Sequence, residues 1–326
     1  YHVKVTRDAE LRLEEEVDTD MVSMIEKELA HRDHGAGTRF LCEPGIPMRH
    51  LFKMAYALNL DSATVVTGGV YHNLKDLHQF PLTGEKYSYA HREPVPSVLV
   101  SGDTSLLKQL HKGDRLLHVP FQSYATVLRF FNEAAHDQDV DAIYCTLYRV
   151  AETSKVVQAL ISAAENGKTV TVMLELKARF DEANNIKWAR QMKKAGITIY
   201  YSSISFKVHA KVALVKRKPG HEIPLLGLLA TGNFNESTAR FYTDHLLMSS
   251  AQPMLKELES LFIFLAKKKK KPGTDDFIPF DELLVAQFNL QETFLGLIDH
   301  EIDEAKAGRA SAIAIKLNNL EERVLI

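Results

Sequence analysis

This sequence has little cysteine, no long apolar run and almost no net charge, and each shortage excludes a class of protein. The two cysteines, Cys42 and Cys145, have no CxxC spacing, which argues against a disulfide framework and a cysteine-based zinc site. No uncharged apolar run reaches the roughly 18 residues of a membrane span, and the first residues do not resemble a secretory signal. The formal charge of −2 argues against a protein that coats nucleic acid. We therefore expect a globular protein in the cytoplasm, with peripheral attachment to the inner membrane left open.

The sequence does contain enough apolar material for a core, since hydrophobic residues make up 45% of its 326 positions, and this length suits two or three domains. Residue 1 is Tyr rather than Met and the sequence stops just after an apolar run, so we expect a piece of a longer protein. An α+β head domain is predicted over residues 1–95, with an acidic amphipathic helix near 18–31. A second domain is predicted over 96–276 and the start of a third over 277–326.

The part of the chain after residue 96 alternates between strand-like and helix-like segments. The predicted strands cover 142–148, 169–174, 197–201, 207–215, 225–230, 244–248 and 312–317. The predicted helices cover a segment capped by Thr153 and ended by Gly167, a segment from about 185 to Gly196, and the ranges 253–266 and 291–306. The first strands alternate with helices, which indicates a parallel sheet covered by helices, and the later strands make this sheet mixed.

The densest chemical signal is the heptapeptide Phe206-Lys207-Val208-His209-Ala210-Lys211-Val212. Side chains alternate between the two faces of a strand, so we expect Lys207, His209 and Lys211 on one face. An imidazole between two ammonium groups suits phosphoryl transfer, because the cations can hold phosphate oxygens and disfavour the imidazolium form. Taken alone, the heptapeptide also fits a basic, exposed strand face.

One strand later comes a glycine-asparagine turn, Thr231-Gly232-Asn233-Phe234-Asn235. Gly232 lets the backbone approach a ligand, and Asn233 and Asn235 can each offer amide donors to an oxyanion. An HxK tripeptide followed by such a turn resembles the phospholipase D superfamily, whose members form a phosphohistidine between two α/β domains. That pattern requires Asp where this sequence has Lys216, and a cation there is consistent with a polyanionic substrate rather than a lipid diester.

Three longer strings, at 146–151, 178–184 and 231–244, are similar to those of the bacterial polyphosphate kinase family, and the resemblance extends to Leu320. It implies an α/β fold, a phospholipase D-like mixed sheet flanked by helices and preceded by the α+β head domain. Residues 96–276 would then be the first phospholipase D-like catalytic domain, and residues 277–326 the start of the second. The resemblance also implies reversible transfer of the terminal phosphate of ATP to inorganic polyphosphate, with Mg²⁺ as cofactor.

The resemblance also implies roles for individual residues. His209 would be phosphorylated, Tyr242 would contact the nucleotide, and Arg149 and Arg179 would lie at the phosphates and their Mg²⁺. Arginine is not a metal ligand, so both arginines are interpreted as phosphate clamps beside the ion. Each follows the end of a predicted strand, where ligands of open α/β sheets collect, although each also fits a surface ion pair.

Other polar residues have less definite roles at this point. Lys211 and Asn233 are predicted to stabilise the transferring phosphoryl group. Glu175, Asp181 and Glu182 are the nearest carboxylates that could orient the histidine or contact Mg²⁺, although helix capping is the simpler account of the last two. His118 lies in a string, HVPFQSY, that also resembles the family, and we assign it a structural or pocket-lining role.

Two alternatives remain open. A phospholipase D-type phosphodiesterase or nuclease would hydrolyse a diester without ATP, and Lys216 argues against it. A catalytically inactive polyphosphate-binding module would keep the basic face but form no phosphohistidine. The family places a further histidine and arginine of its active site after Ile326, so we expect the fragment alone to have little or no activity. The resemblance also implies a homodimer or homotetramer, and no nucleic-acid partner is expected.

Overall fold

The structure is a computed structural model that describes most of the chain as two compact units, Tyr1–Glu93 and Pro94–Ile326. The described residues are 1–8, 21–32, 35–82, 85–87, 89–90, 92–98, 100, 102–178, 181–202, 207–267, 278–317 and 319–326. Within these ranges, no helix combines the length and the apolar character that crossing a membrane requires. The domain boundaries drawn after residues 95 and 276 stay predictions.

The first unit contains a small sheet and two α-helices. Its strands are β1 (Val3–Arg7), β2 (Gly37–Cys42) and β3 (Thr64–Thr67), and its helices are α1 (Met21–Arg32) and α2 (Met48–Ala57). β1 is antiparallel to β2, and β2 is parallel to β3. Ile25 of α1 and Phe40 of β2 are fully buried. The helix predicted near 18–31 is observed as α1 in the described part of that range.

The second unit is built on a seven-stranded mixed sheet. Its strands are β4 (Arg115–Val119), β5 (Val140–Leu147), β6 (Thr169–Leu174), β7 (Thr198–Tyr201), β8 (Lys211–Arg217), β9 (Leu225–Ala230) and β10 (Asp244–Ser249). They lie side by side in the order β4-β10-β9-β8-β5-β6-β7. β5, β6 and β7 are parallel, whereas β8, β9, β10 and β4 are joined antiparallel. The predicted mixed sheet, with antiparallel strands on one side, is confirmed.

Helices cover both faces of this sheet. They are α3 (Leu106–Gln109), α4 (Ala125–His136), α5 (Lys155–Glu165), α6 (Glu182–Lys194) and α7 (Gln252–Ala266). A further helix, α8 (Leu290–Lys306), follows and has no buried residue. Leu255 of α7 packs with Val212 and Leu214 of β8 on one face. Side chains alternate along a strand, so Arg217 points to the other face, where it approaches Asp137 just after α4. The central strands are therefore buried on both sides.

Local sequence sets the limits of α5. Its buried stripe has helical spacing and consists of Val156, Val157, Ala159, Leu160 and Ala163. The helix begins one residue later than predicted, because the hydroxyl of Ser154, not that of Thr153, accepts a hydrogen bond of 3.2 Å from the Val157 amide. Gly167 ends the helix as predicted, with a φ of +81° that glycine adopts without steric cost.

Two predicted strands differ from the structure. β8 begins at Lys211, so residues 207–210 precede the strand rather than belong to it. Residues 312–317 form no strand and are exposed. A strand needs a neighbour for its backbone donors and acceptors, and none of the described residues pairs with this segment.

The residues that follow the predicted boundary at 276 pack against α7. The ring of Phe288 lies 5.3 Å from that of Phe264 in α7 and 5.2 Å from that of Phe280, both edge to face. Phe280 and the buried residues of α7 form one hydrophobic cluster. Residues near 280–288 therefore add to the core of the second unit.

Candidate active site

Strand directions bring the ends of five strands to one edge of the seven-stranded sheet, which we call the upper edge. The carboxyl ends of β5, β6 and β9 lie there, together with the amino ends of β8 and β10. The polar residues at or just beyond these ends are Arg149, Glu175, His209, Lys211, Asn233 and Asp244. The topology therefore brings positions from five separate strands close together.

His209 lies in the short segment that leads into β8 and remains accessible to solvent. Its ring makes an edge-to-face contact with Tyr148, with the ring centroids 4.8 Å apart and the planes at 88°. Partial burial lowers the pKa of His209, and the positive charges of Lys211, Lys207 and Arg149 lower it further. The imidazole is therefore mainly neutral near pH 7, which is the form with a nucleophilic nitrogen.

Tyr148 is a residue of this site that the sequence analysis did not single out. The ammonium nitrogens of Lys207 and Lys211 each lie 5.1 Å from the centre of its ring. The guanidinium carbon of Arg149 lies 6.0 Å from the same point. Cations at this distance are attracted by the electron-rich face of an aromatic ring. Strand periodicity could not predict this contact, because Tyr148 follows β5 and His209 precedes β8. Only the tertiary structure brings the two rings together.

Lys211 is buried, with 7% of its surface exposed, so the alternative of a basic, exposed strand face does not apply to it. Both faces of β8 are covered, so its first residue is enclosed too. The ammonium group donates a hydrogen bond to the carbonyl of His209. Burial, followed by the charge of Lys207, lowers the pKa of Lys211 to about 8, while Asp244 opposes this shift. Lys211 is therefore a cation that can lose its charge in mildly alkaline solution.

Glu175 fixes the backbone just before the histidine. The residue is almost fully buried, at 1% exposure, and its Oε2 accepts a hydrogen bond of 3.3 Å from the Val208 amide. Its Oε1 accepts one of 3.0 Å from the Lys177 amide. Of the three carboxylates considered from the sequence, Glu175 is the one that contacts the segment carrying His209, and it does so through the backbone.

A second anchor of this segment is Thr146 on β5. Its hydroxyl donates a hydrogen bond of 2.7 Å to the carbonyl of Ala210 and accepts one of 3.0 Å from the amide of Val212. Residues on both sides of His209 are thus tied to β5 and to the residue that follows β6. The imidazole is presented from a backbone that is held in place by buried hydrogen bonds.

Arg149 and Asp181 form an ion pair of 3.1 Å between Nε and Oδ2 at the upper edge. Asp181 occupies the position before α6, but its side chain makes no capping hydrogen bond, so the predicted capping role is wrong for this residue. Burial raises the pKa of Asp181, while Arg149 opposes the shift. Arg149 leaves 42% of its side chain exposed, so its guanidinium remains within reach of a ligand. Arg179 lies outside the described residues, and its predicted role as a phosphate clamp stays a prediction.

The glycine-asparagine turn is held against the start of β10. A Cβ atom at Gly232 would overlap the carboxylate of Asp244, and Thr231 donates a hydrogen bond of 2.8 Å to the same group. Asn235 has partners within the protein, because its amide donates to the carbonyl of Arg149 and its oxygen accepts from the amides of Ser237 and Thr238. The side-chain oxygen of Asn233 is buried and has no hydrogen-bond partner among the described residues. Asn233 therefore has an unpaired acceptor, and its predicted amide donation to a phosphoryl group stays a prediction.

Three further predicted residues have distinct surroundings. Tyr242 is 55% exposed, and its ring contacts that of Phe241 at 4.7 Å, so its nucleotide contact stays a prediction. His118, at the end of β4, stacks on His245 with ring centroids 4.6 Å apart. Lys216 lies near the opposite end of β8 and pairs with Glu259 at 2.7 Å. The interpretation of Lys216 as an adaptation to a polyanionic substrate is therefore wrong.

The described residues at this edge of the sheet form no cluster of metal ligands. Among the described residues there is no group of three or more His, Cys, Asp or Glu side chains arranged to hold a metal ion. Asp181 is paired with Arg149, and Glu175 accepts backbone hydrogen bonds. The predicted Mg²⁺ position near Arg149 and Arg179 stays a prediction.

Comparison with known proteins finds similarity to one protein family in three successive segments of the chain. Three family models match in succession: the polyphosphate kinase middle domain at residues 1–80, its C-terminal domain 1 at 105–271 and its C-terminal domain 2 at 283–326. Curated polyphosphate kinases from Vibrio cholerae serotype O1 and Escherichia coli K12 are each 34% identical to the entire chain. The chain spans 46% and 47% of their lengths.

A solved structure is similar in fold as well as in sequence. The crystal structure of polyphosphate kinase from Porphyromonas gingivalis has a TM-score of 0.72 and 35% identity, over 94% of this chain and 43% of that one. The succession of matched domains, the identity over the full length and the shared fold together make this chain a member of the polyphosphate kinase family.

Proposed function

We propose that the full-length protein transfers the terminal phosphate of ATP reversibly to inorganic polyphosphate, through a phosphohistidine at His209. The observation that carries this proposal is a neutral, accessible imidazole beside three cationic side chains, in a chain of this family. Neutral imidazole attacks phosphorus, whereas the surrounding charges favour the anionic oxygens of the transferring group. The whole protein would work in the cytoplasm as a homodimer or homotetramer.

The reaction consists of two displacements at phosphorus. In the first, a nitrogen of His209 bonds to the γ-phosphorus of ATP while the bond from that phosphorus to the bridging oxygen breaks, and ADP leaves with the electron pair. In the second, a terminal oxygen of polyphosphate bonds to the same phosphorus while the nitrogen-phosphorus bond breaks. The polymer gains one unit, and the histidine returns to its neutral form. Both steps are reversible, because each replaces one phosphorus bond with another.

The neighbouring residues would act by charge and orientation. Lys211, Lys207 and Arg149 would neutralise the oxygens of the phosphoryl group, and Asn233 would donate an amide hydrogen bond to it. Arg179 would add a second guanidinium, and Tyr242 would contact the nucleotide. Mg²⁺ prefers phosphate oxygens and water as ligands and would arrive with ATP, where it would neutralise phosphate charge.

The test is labelling of the full-length protein with ATP carrying a radioactive γ-phosphate. We expect acid-labile protein label and long-chain product from the wild type, and neither from His209→Ala. His136→Ala is a matched control, because His136 is an exposed histidine at the end of α4, and it should label like the wild type. Label retained by His209→Ala at the wild-type level would remove His209 from the mechanism. Hydrolysis of a phosphodiester without ATP would instead favour the phospholipase D-type reaction, and polyphosphate binding without label would favour an inactive binding module.

A further inference from the structure

We propose that Tyr148 is a positioning residue, whose aromatic ring holds the His209 imidazole at a fixed angle and gathers Lys207, Lys211 and Arg149 beside it. The reaction proposed above gives this residue no role. This positioning role deepens the proposed function. It depends on the proposed function only in the experiment that measures phosphoryl transfer.

The ring of Tyr148 lies at the centre of an unusual concentration of positive charge. Lys207 and Lys211 approach it to 5.1 Å, Arg149 to 6.0 Å, and the imidazole to 4.8 Å. Three cations in so small a volume repel one another. Arg149 has a carboxylate partner in Asp181, but neither lysine forms an ion pair with a carboxylate among the described residues. Lys211 is also attracted by Asp244 and donates a hydrogen bond to the carbonyl of His209, and the face of the Tyr148 ring is the negative surface that both ammonium groups share.

Tyr148 also limits the orientation of the imidazole. An edge-to-face contact at 88° is a favoured geometry for two rings, and it restricts rotation of the His209 side chain about its own bonds. Glu175 and Thr146 hold only the backbone of this segment, so they cannot set the ring angle. In-line attack on phosphorus needs a nitrogen held at a defined angle. Tyr148 supplies the constraint that the backbone anchors leave open.

The backbone of Tyr148 is itself held firmly enough for this task. Its carbonyl accepts a hydrogen bond of 2.8 Å from the side-chain amide of Asn185, which is fully buried in α6. The same amide group donates one of 3.0 Å to the carbonyl of Glu175. The residue that carries the ring and the residue that anchors the histidine segment are therefore joined through one side chain.

The test compares Tyr148→Leu with Tyr148→Phe in the full-length protein. The leucine variant keeps apolar volume but loses the aromatic face, and it should phosphorylate His209 at least about tenfold more slowly. The phenylalanine variant keeps the ring and should restore the rate to within about twofold of wild type. Tyr144→Leu is the matched control, since Tyr144 lies on β5 and packs on Phe262 of α7 away from the histidine. It should leave the rate per folded molecule unchanged.

A second measurement needs no nucleotide and so separates this inference from the proposed function. In histidine-labelled protein, NMR titration should give a higher His209 midpoint in Tyr148→Leu than in the wild type, because the cations are no longer held beside the imidazole. Wild-type spectra should also show contacts between the ring protons of Tyr148 and His209. An unchanged midpoint in Tyr148→Leu, or no such contacts in the wild type, overturns the positioning role. Absence of protein label in the wild type would overturn the proposed function alone.

Discussion

The two ends of strand β8 are both rich in basic residues, but the partners of these residues differ. At the upper end, Lys207 and Lys211 lie beside an aromatic ring and an imidazole, and neither pairs with a carboxylate among the described residues. At the lower end, Lys216 pairs with Glu259 at 2.7 Å, and Arg217 lies 3.9 Å from Asp137. The strand of seven residues separates these clusters by about 20 Å.

This difference shows that partners, not residue type, distinguish a binding site from a structural contact. At the lower end, Arg217 is 3% exposed and donates hydrogen bonds to the rings of His111 and His221, the former at 2.7 Å. Burial and the charge of Arg217 lower the pKa of His111, which keeps it a neutral acceptor. At the upper end, repulsion between the positive charges opposes folding. A polyanionic ligand bound there would compensate these charges.

The sharpest way to test this contrast is to remove one lysine from each end of the strand. Lys211→Met should lower the rate of His209 phosphorylation by about 10²–10³-fold, the usual effect of losing one group that stabilises transition-state charge. Lys216→Met should keep the rate within about twofold and lower the free energy of unfolding by at most about 1 kcal/mol, as for other surface pairs. Rapid-quench labelling and urea denaturation measure the two quantities. Equal losses of rate in both variants would contradict the distinction between the two ends.

Arg217→Met is expected to show the reverse pattern. The substitution leaves His111 and His221 without their charged donor, and hydrogen bonds to charged groups contribute about 1.5–3 kcal/mol each. We expect the free energy of unfolding to fall by about 3 kcal/mol, with the phosphorylation rate per folded molecule unchanged. Urea denaturation and a rate normalised to folded protein measure both. A stable variant with a reduced rate would mean that the lower end takes part in the reaction.

The pH dependence of phosphorylation should be gradual, because one pH unit beyond a pKa changes the population of the reactive form at most about tenfold. Transfer needs a charged Lys211, whose pKa is about 8, so kcat/KM should fall as pH rises through that value. It also needs a neutral His209, whose pKa is lowered, so the rate should fall on the acid side only below the usual histidine range of about 6.5. In Lys211→Arg the alkaline fall should disappear, since arginine stays charged. A wild-type rate that is constant from neutral pH to well above pH 8 would contradict the assignment.

Sequence patterns predicted most elements of the second unit, because its strands and helices have strong periodicity. The strands at 169–174 and 225–230 are observed with those limits, and Gly167 and Gly196 end the helices as predicted. The predictions were wrong where contacts with residues distant in the sequence determine the local structure. Residues 207–210 have strand-like composition, but no described strand pairs with them. Asp181 has a side chain of the kind that caps helices, but it pairs with Arg149 from another segment.

By itself the sequence determined which residues could carry the chemistry, since HxK and the glycine-asparagine turn are local patterns that make His209 the proposed nucleophile. Tertiary structure decided which charges are compensated: Lys216 and Lys211 are both lysines on β8, and only the fold gives Glu259 to the first and Tyr148 to the second. Tertiary structure also selected Glu175 over Asp181 as the carboxylate that contacts the histidine segment. Partners come from strands distant in sequence, and their distances follow from sheet order and register, which no local pattern contains.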